Sequence, residues 1–85
     1  MTKTLPPLSS AAKSIVIGSI YEHYKKMRYK VVAIARHSET LEELVVYQAL
    51  YGEGGIWVRP LNMFLENISL EGKIIPRFKC IGEYV

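Results

Sequence analysis

Two histidines and one cysteine, His23, His37 and Cys80, are the side chains best suited by type to hold zinc. Ligand pairs for that metal usually stand about two to five residues apart, and no two of these do, so no metal site is expected. The run His37-Ser38-Glu39 has the residue types of nucleophilic catalysis. Neighbours on an extended chain point apart, however, and a working triad is assembled from distant positions, so these residues read as turn hydrogen-bonders and no catalytic set is expected. Gly52-Glu53-Gly54-Gly55 lacks the Lys-Ser/Thr ending and the following helix of a phosphate loop, and Glu53 would repel phosphate. It reads as a flexible hairpin connection, and no cofactor is implied.

Two other groupings carry more. Lys25, Lys26, Arg28 and Lys30 crowd one turn, with Tyr21, Tyr24 and Tyr29 interleaved. Cations that track a backbone beside rings that stack on bases are what single-stranded nucleic acid requires, each stacked base contributing about 1–3 kcal/mol. Those four cations are the candidate nucleic-acid set; a solvated hairpin tip that keeps the protein soluble is the commoner use of such a cluster. The second grouping is Trp57 with Tyr47, Tyr51 and Phe64. Rings in so small a domain are usually core, but a shallow aromatic groove also receives extended peptides. Arg59 beside Trp57 offers a carboxylate anchor, and Arg36 in the same cleft would complete an anion-recognising pocket. Tyr24, Arg36, His37, Tyr47, Trp57 and Arg59 are therefore the candidate ligand-binding set.

The elements that must position these residues have to fit a short chain. The 85 residues allow one domain, and 49% hydrophobic with 22% charged residues is the balance of an ordinary globular protein. A formal charge of +3 favours anionic partners only slightly. One cysteine cannot form an internal disulfide, which makes a reducing cytoplasm the default compartment. Pro6, Pro7, Ser9 and Ser10 stand where a secretory signal would need apolar residues, and the longest apolar run, Val31 to Ala35, is far below the roughly 20 residues of a membrane span.

Residues 1–14 have little to bury and read as a flexible N-terminal arm, leaving 15–85 as a single domain close to the size at which one core suffices; dimerisation would ease that limit. Ser19 to Tyr24 reads as a short strand, and 25–28 as a turn without the glycine that a tight hairpin favours. The next strand starts at Tyr29 and fills both phases of its alternation, as a strand covered on both faces or bent around a barrel would. Thr40 to Gly52 is ambiguous: Thr40 and Glu43 fit a helix capping box, but Val45-Val46-Tyr47 favours a strand, with 37–43 as the preceding loop. Ile56 to Arg59 is a short strand, closed by Pro60 and a single helical or 3₁₀ turn over 61–65. A hairpin about Glu71-Gly72 and a last strand from Pro76 follow. Five or six short strands in about 65 residues predict an all-β domain, a small and highly bent barrel.

Ala35-Arg36-His37-Ser38-Glu39-Thr40-Leu41-Glu42, continuing through Leu44 to Gly52 and on to Gly55-Ile56-Trp57-Val58-Arg59-Pro60 and Met63-Phe64, resembles the small bacterial domain-of-unknown-function family 1653. Tyr21-Glu22-His23-Tyr24-Lys25, Gly72 and Pro76-Arg77-Phe78 are similar to the same family, so the resemblance spans roughly residues 18 to 79. It implies an SH3-like barrel and a strand at 44–51, and it brings no activity. Members of the family often have a glycine where this chain has Lys26-Met27, and the arm lies outside the match. The resulting expectation is a non-enzymatic binding module with an aromatic and basic cleft for a peptide or small anionic ligand. The alternatives are weak nucleic-acid binding through the basic turn, and a small enzyme using Arg36, His37 and Glu39 on an anionic substrate.

Overall fold

Inward-facing side chains of the central strands explain most of the architecture. The computed structural model describes residues 5–83. In chain order it has helix α1 (Ser10–Lys13), strands β1 (Ser19–His23), β2 (Arg28–Arg36), β3 (Glu43–Ala49) and β4 (Ile56–Pro60), helix α2 (Leu61–Phe64), and strands β5 (Asn67–Leu70), β6 (Lys73–Pro76) and β7 (Phe78–Glu83). Five strands form one antiparallel sheet in the order β4-β3-β2-β1-β7, and β5 and β6 form a separate hairpin. The mainly β expectation is met.

The sheet is strongly bent but does not close into a barrel: among the described residues β4 and β7 are not paired, and they form its two edges. The ring of Phe78 on β7 lies beneath the Arg59 guanidinium of β4, 5.4 Å from ring centroid to Cζ, so side chains meet across the gap where a closed barrel would have backbone hydrogen bonds. Two register irregularities, at Ile20/Tyr21 and at Val31/Ala33, supply the bend. The second also explains why β2 is apolar in both phases. Tyr29 and Val31 face inward opposite Ala49 and Tyr47, and after the irregularity the inward position passes to Ile34, opposite Val45.

The core is a set of rings. Phe64 of α2 stacks on Phe78 with centroids 4.3 Å apart and planes 12° from parallel. Tyr21, Tyr29 and Tyr47 meet this pair or one another at centroid distances of 5.0 to 5.8 Å. Val31, Val45, Ala49 and Leu61 fill the spaces between them. Pro60 begins the turn that carries Phe64 inward, as its fixed φ and missing N–H suit a helix start.

The N-terminal segment has structure of its own. Ser9 caps α1, its hydroxyl accepting from the Ala12 amide at 3.1 Å and donating to the Glu43 carboxylate at 2.6 Å. Ala12 is 1% exposed and belongs to the core, and Leu8 packs against it. No helix among the described residues is long and apolar enough to cross a membrane.

Phe64→Ala should lower unfolding stability by about 3–5 kcal/mol, read as a fall in the denaturant midpoint, because the ring leaves a cavity at the centre of the stack. Ala12→Glu should cost at least about 1 kcal/mol, since the charge cannot stay in the pocket. An arm free of the sheet would show no change.

Candidate functional site

The bent sheet has an inner face, and its register decides which candidate residues reach it. Tyr47 pairs with Trp57 and Val45 with Arg59, and residues directly opposite on antiparallel strands share a face. Trp57 and Arg59 thus stand on the same side as the buried Tyr47 and Val45. Because β4 is an edge, Trp57 remains 56% exposed at the mouth of the concavity. Arg59 donates through Nε to the Tyr47 hydroxyl at 3.3 Å while its guanidinium covers Phe78. Among the described residues the ion pairs are Arg28–Glu22 and Arg77–Glu66, so Arg59 is held in place without a carboxylate partner.

His23 also meets Phe78, in a near-perpendicular contact with ring centroids 4.9 Å apart and planes at 75°. His23 in turn packs on Tyr24 at 4.5 Å. A strip therefore runs from Trp57 through Arg59 and Phe78 to His23 and Tyr24, joined by register, cation and ring contacts. Burial holds the His23 pKa below its ordinary value, with Arg59, Arg77 and Lys25 adding to the depression. Its Nδ1 accepts the Lys25 amide at 3.2 Å, which leaves Nε2 as the position for a donor. The mouth combines an exposed indole, a fixed guanidinium and a histidine, and it can receive an anion beside an apolar or aromatic group.

Of the candidate ligand-binding set, the structure brings Tyr47, Trp57, Arg59 and Tyr24 into this strip. Arg36 and His37 lie at the far end of β2. Arg36 donates to the Pro6 carbonyl, while His37 stands in the exposed turn, its Nδ1 accepting the Glu39 amide at 3.1 Å. Arg36 pairs in register with Glu43, whose carboxyl is held below its usual pKa by hydrogen bonds from the Ser9 hydroxyl and amide. The N-terminal segment therefore engages the end of the sheet where Arg36 was expected to line a cleft. His23 and Phe78 were not among the candidates. Their only signal was the period-two spacing that puts Tyr21 and His23 on one face.

The basic turn is divided. Arg28 pairs with Glu22 at 3.3 Å, and the Lys25 ammonium lies 5.8 Å from the centroid of the Tyr24 ring. Tyr21 and Tyr29 are core residues, and the Tyr29 hydroxyl, pushed up to about 12 chiefly by burial, is bonded to Tyr51 at 2.6 Å. Of the three interleaved rings only Tyr24 is open enough to stack. Lys30 projects from β2 opposite Gln48. Lys26 lines a cleft of about 230 Å³ with Glu22, His23, Tyr24, Ile75, Pro76 and Lys79. The turn closes without glycine: Lys26 itself takes a φ of 78° and its amide donates to the His23 carbonyl at 2.7 Å. Among the described residues no group of three or more His, Cys, Asp or Glu could hold a metal.

Comparison with known proteins agrees with this architecture. Residues 19–80 match the model of a family described as protein of unknown function, DUF1653. A crystal structure of a DUF1653 protein from Bordetella bronchiseptica is 32% identical and superposes with a TM-score of 0.75, covering 87% of this chain and 96% of that one. No curated protein matches the chain.

The depressed His23 pKa sets the sign of a pH effect. The unfolded chain takes up this proton more readily, so the contribution to stability is complete above pH 6.5 and is lost as the pH falls below it. Between about pH 7 and pH 5 the thermal midpoint should fall, and by less in His23→Gln. Equal slopes in the two proteins would assign the effect to other groups.

Proposed function

The chain belongs to the DUF1653 family, and we propose that it is a non-enzymatic binding module whose concave mouth takes an extended peptide or another anionic ligand. One observation carries this: Arg59, fixed by the Tyr47 hydroxyl and the Phe78 ring beside an exposed Trp57, has no carboxylate partner among the described residues. A guanidinium already oriented loses less freedom when a carboxylate arrives, and its planar fork can bind both oxygens. Trp57, two residues before it on the same face and with its indole lying over Gly55, supplies a rigid apolar surface. His23 adds a donor whose proton affinity an incoming anion would raise. Tyr24 extends the strip, whereas Arg36 and His37 lie outside it. A cytoplasmic setting accords with the single cysteine, Cys80, which is free and exposed.

Nucleic-acid binding draws on a separate observation, the cleft that Lys26 and Lys79 share with Tyr24. It has less support, because Tyr21 and Tyr29 are committed to the core and Arg28 to Glu22.

Trp57 is the chain's one tryptophan, so its fluorescence reports directly on the mouth. Short acidic peptides should perturb it, charge-reversed peptides should not, and Arg59→Ala should weaken binding by about tenfold, the loss of roughly one charge-assisted hydrogen bond. Trp57→Ala, followed by calorimetry, should weaken binding by a similar factor. Affinities unchanged in both variants would overturn the proposal.

A further inference from the structure

β4 is an edge strand whose guards, Arg59 and Pro60, stand only at its end, leaving its first three residues without one. Charges, prolines or irregularities ordinarily blunt such a strand. Here Ile56, Trp57 and Val58 are consecutive, uncharged and 57%, 56% and 58% exposed, and β4 pairs with β3 without a register shift. The Ala49 amide donates to the Gly55 carbonyl at 2.9 Å, which marks Ala49/Gly55 as a hydrogen-bonded pair. In an antiparallel ladder such pairs alternate, so Tyr47/Trp57 and Val45/Arg59 are bonded pairs too. Ile56 and Val58 must then direct their own N–H and C=O groups away from β3, toward the open edge. Two donors and two acceptors stand there at strand spacing, flanked by apolar side chains on both faces of the sheet.

We infer that this edge takes an acidic extended peptide as a sixth antiparallel strand; the inference rests on the binding role proposed above and names its ligand. Register determines what that peptide must carry. Ladder bonds form with the peptide residues opposite Val58 and Ile56. The residues opposite Arg59 and Trp57 fall at the non-hydrogen-bonded positions, where cross-strand side chains approach most closely. A glutamate opposite Arg59 gives the guanidinium its missing partner, and an aromatic residue opposite Trp57 packs on the exposed indole. Between them, a β-branched residue opposite Val58 continues the apolar outer face. From N to C the peptide reads acidic, β-branched, aromatic, β-branched. Charge complementarity selects this occupant over a second copy of the chain. Two β4 strands paired about Trp57 would set Arg59 against Gly55 of the other copy, and pairing about Ile56 would set it against Glu53, which stands in the turn before β4 and not in the strand.

The probe is acetyl-Ser-Glu-Val-Phe-Val-Ser-amide, titrated against the whole chain by calorimetry. N-methylation of its two valines removes the N–H groups that face β4 and should weaken binding by at least about tenfold, whereas the same modification of the Glu and Phe nitrogens, which point outward, should leave it nearly unchanged. Val58→Pro removes one outward donor of β4 and none of the bonds to β3. It should keep the thermal midpoint within a few degrees and bind the unmodified peptide about tenfold more weakly. Equal effects of the two methylation patterns, with binding still lost in Trp57→Ala, would overturn strand addition and leave the anionic mouth standing. Absence of peptide binding would overturn both. A dimer of the free protein in light scattering, dissociated by Val58→Pro, would assign the edge to a second copy and overturn the peptide as its occupant.

Discussion

The stack of Phe64 on Phe78 is the contact on which the rest of the fold depends. A five-stranded sheet of this size has one face to bury and too few neighbours to bury it against. Here the sheet bends around rings contributed by one helical turn and by its own last strand. Because β4 and β7 do not share hydrogen bonds, the ring pair and the guanidinium above it are what join the two edges. The three buried tyrosines then have a fixed wall to pack against, and the register of the central strands β1 to β3 follows from which of their residues point at that wall.

Opening the ring changes what β4 presents. A closed barrel would have used the N–H and C=O groups of β4 in its own ladder and buried the indole at its margin. The open form leaves the backbone groups free along the edge and the indole exposed on the face that carries Arg59, so the same geometric choice that spares the backbone a tight closure also opens the mouth. Sites often occupy such places, where a rigid scaffold stops short of satisfying its own polar groups.

Much of this was legible in residue order. The β-branched and aromatic runs located β1, β2 and β4, Pro60 marked the turn into α2, and Glu71-Gly72 marked the β5–β6 hairpin, with Glu71 at a φ of 51° and Gly72 at 79°. At 43–49 the capping-box pattern allowed a helix, Val45-Val46-Tyr47 favoured a strand, and the family resemblance decided it; in the fold, pairing on both sides of β3 outweighs the capping box. The helix α1 was missed because four residues carry almost no periodicity, although Ser9 before Ala11-Ala12 is a cap signal in retrospect. Arg36 looked like a partner for Arg59 because both are cations on strands that a barrel would bring together. The irregularity in β2 does put Arg36 on the face that carries Arg59, but β3 stands between their strands and the carbonyl of Pro6 holds the Arg36 guanidinium, and neither leaves a local trace. His23 was weighed only as a zinc ligand, because its contact with Phe78 comes from β7, more than fifty positions later.

That distance has a kinetic meaning. β1 to β4 form a meander in which each strand pairs with its neighbour in the chain, so the loops that must close are short. β7 instead pairs back to β1, across most of the molecule. Long closures come late and contribute most to contact order. The meander can therefore assemble before its central ring stack exists, with four strands around an unfilled centre until Phe78 docks. During that interval both β1 and β4 are open edges, which makes it the period of greatest exposure to pairing with the wrong chain.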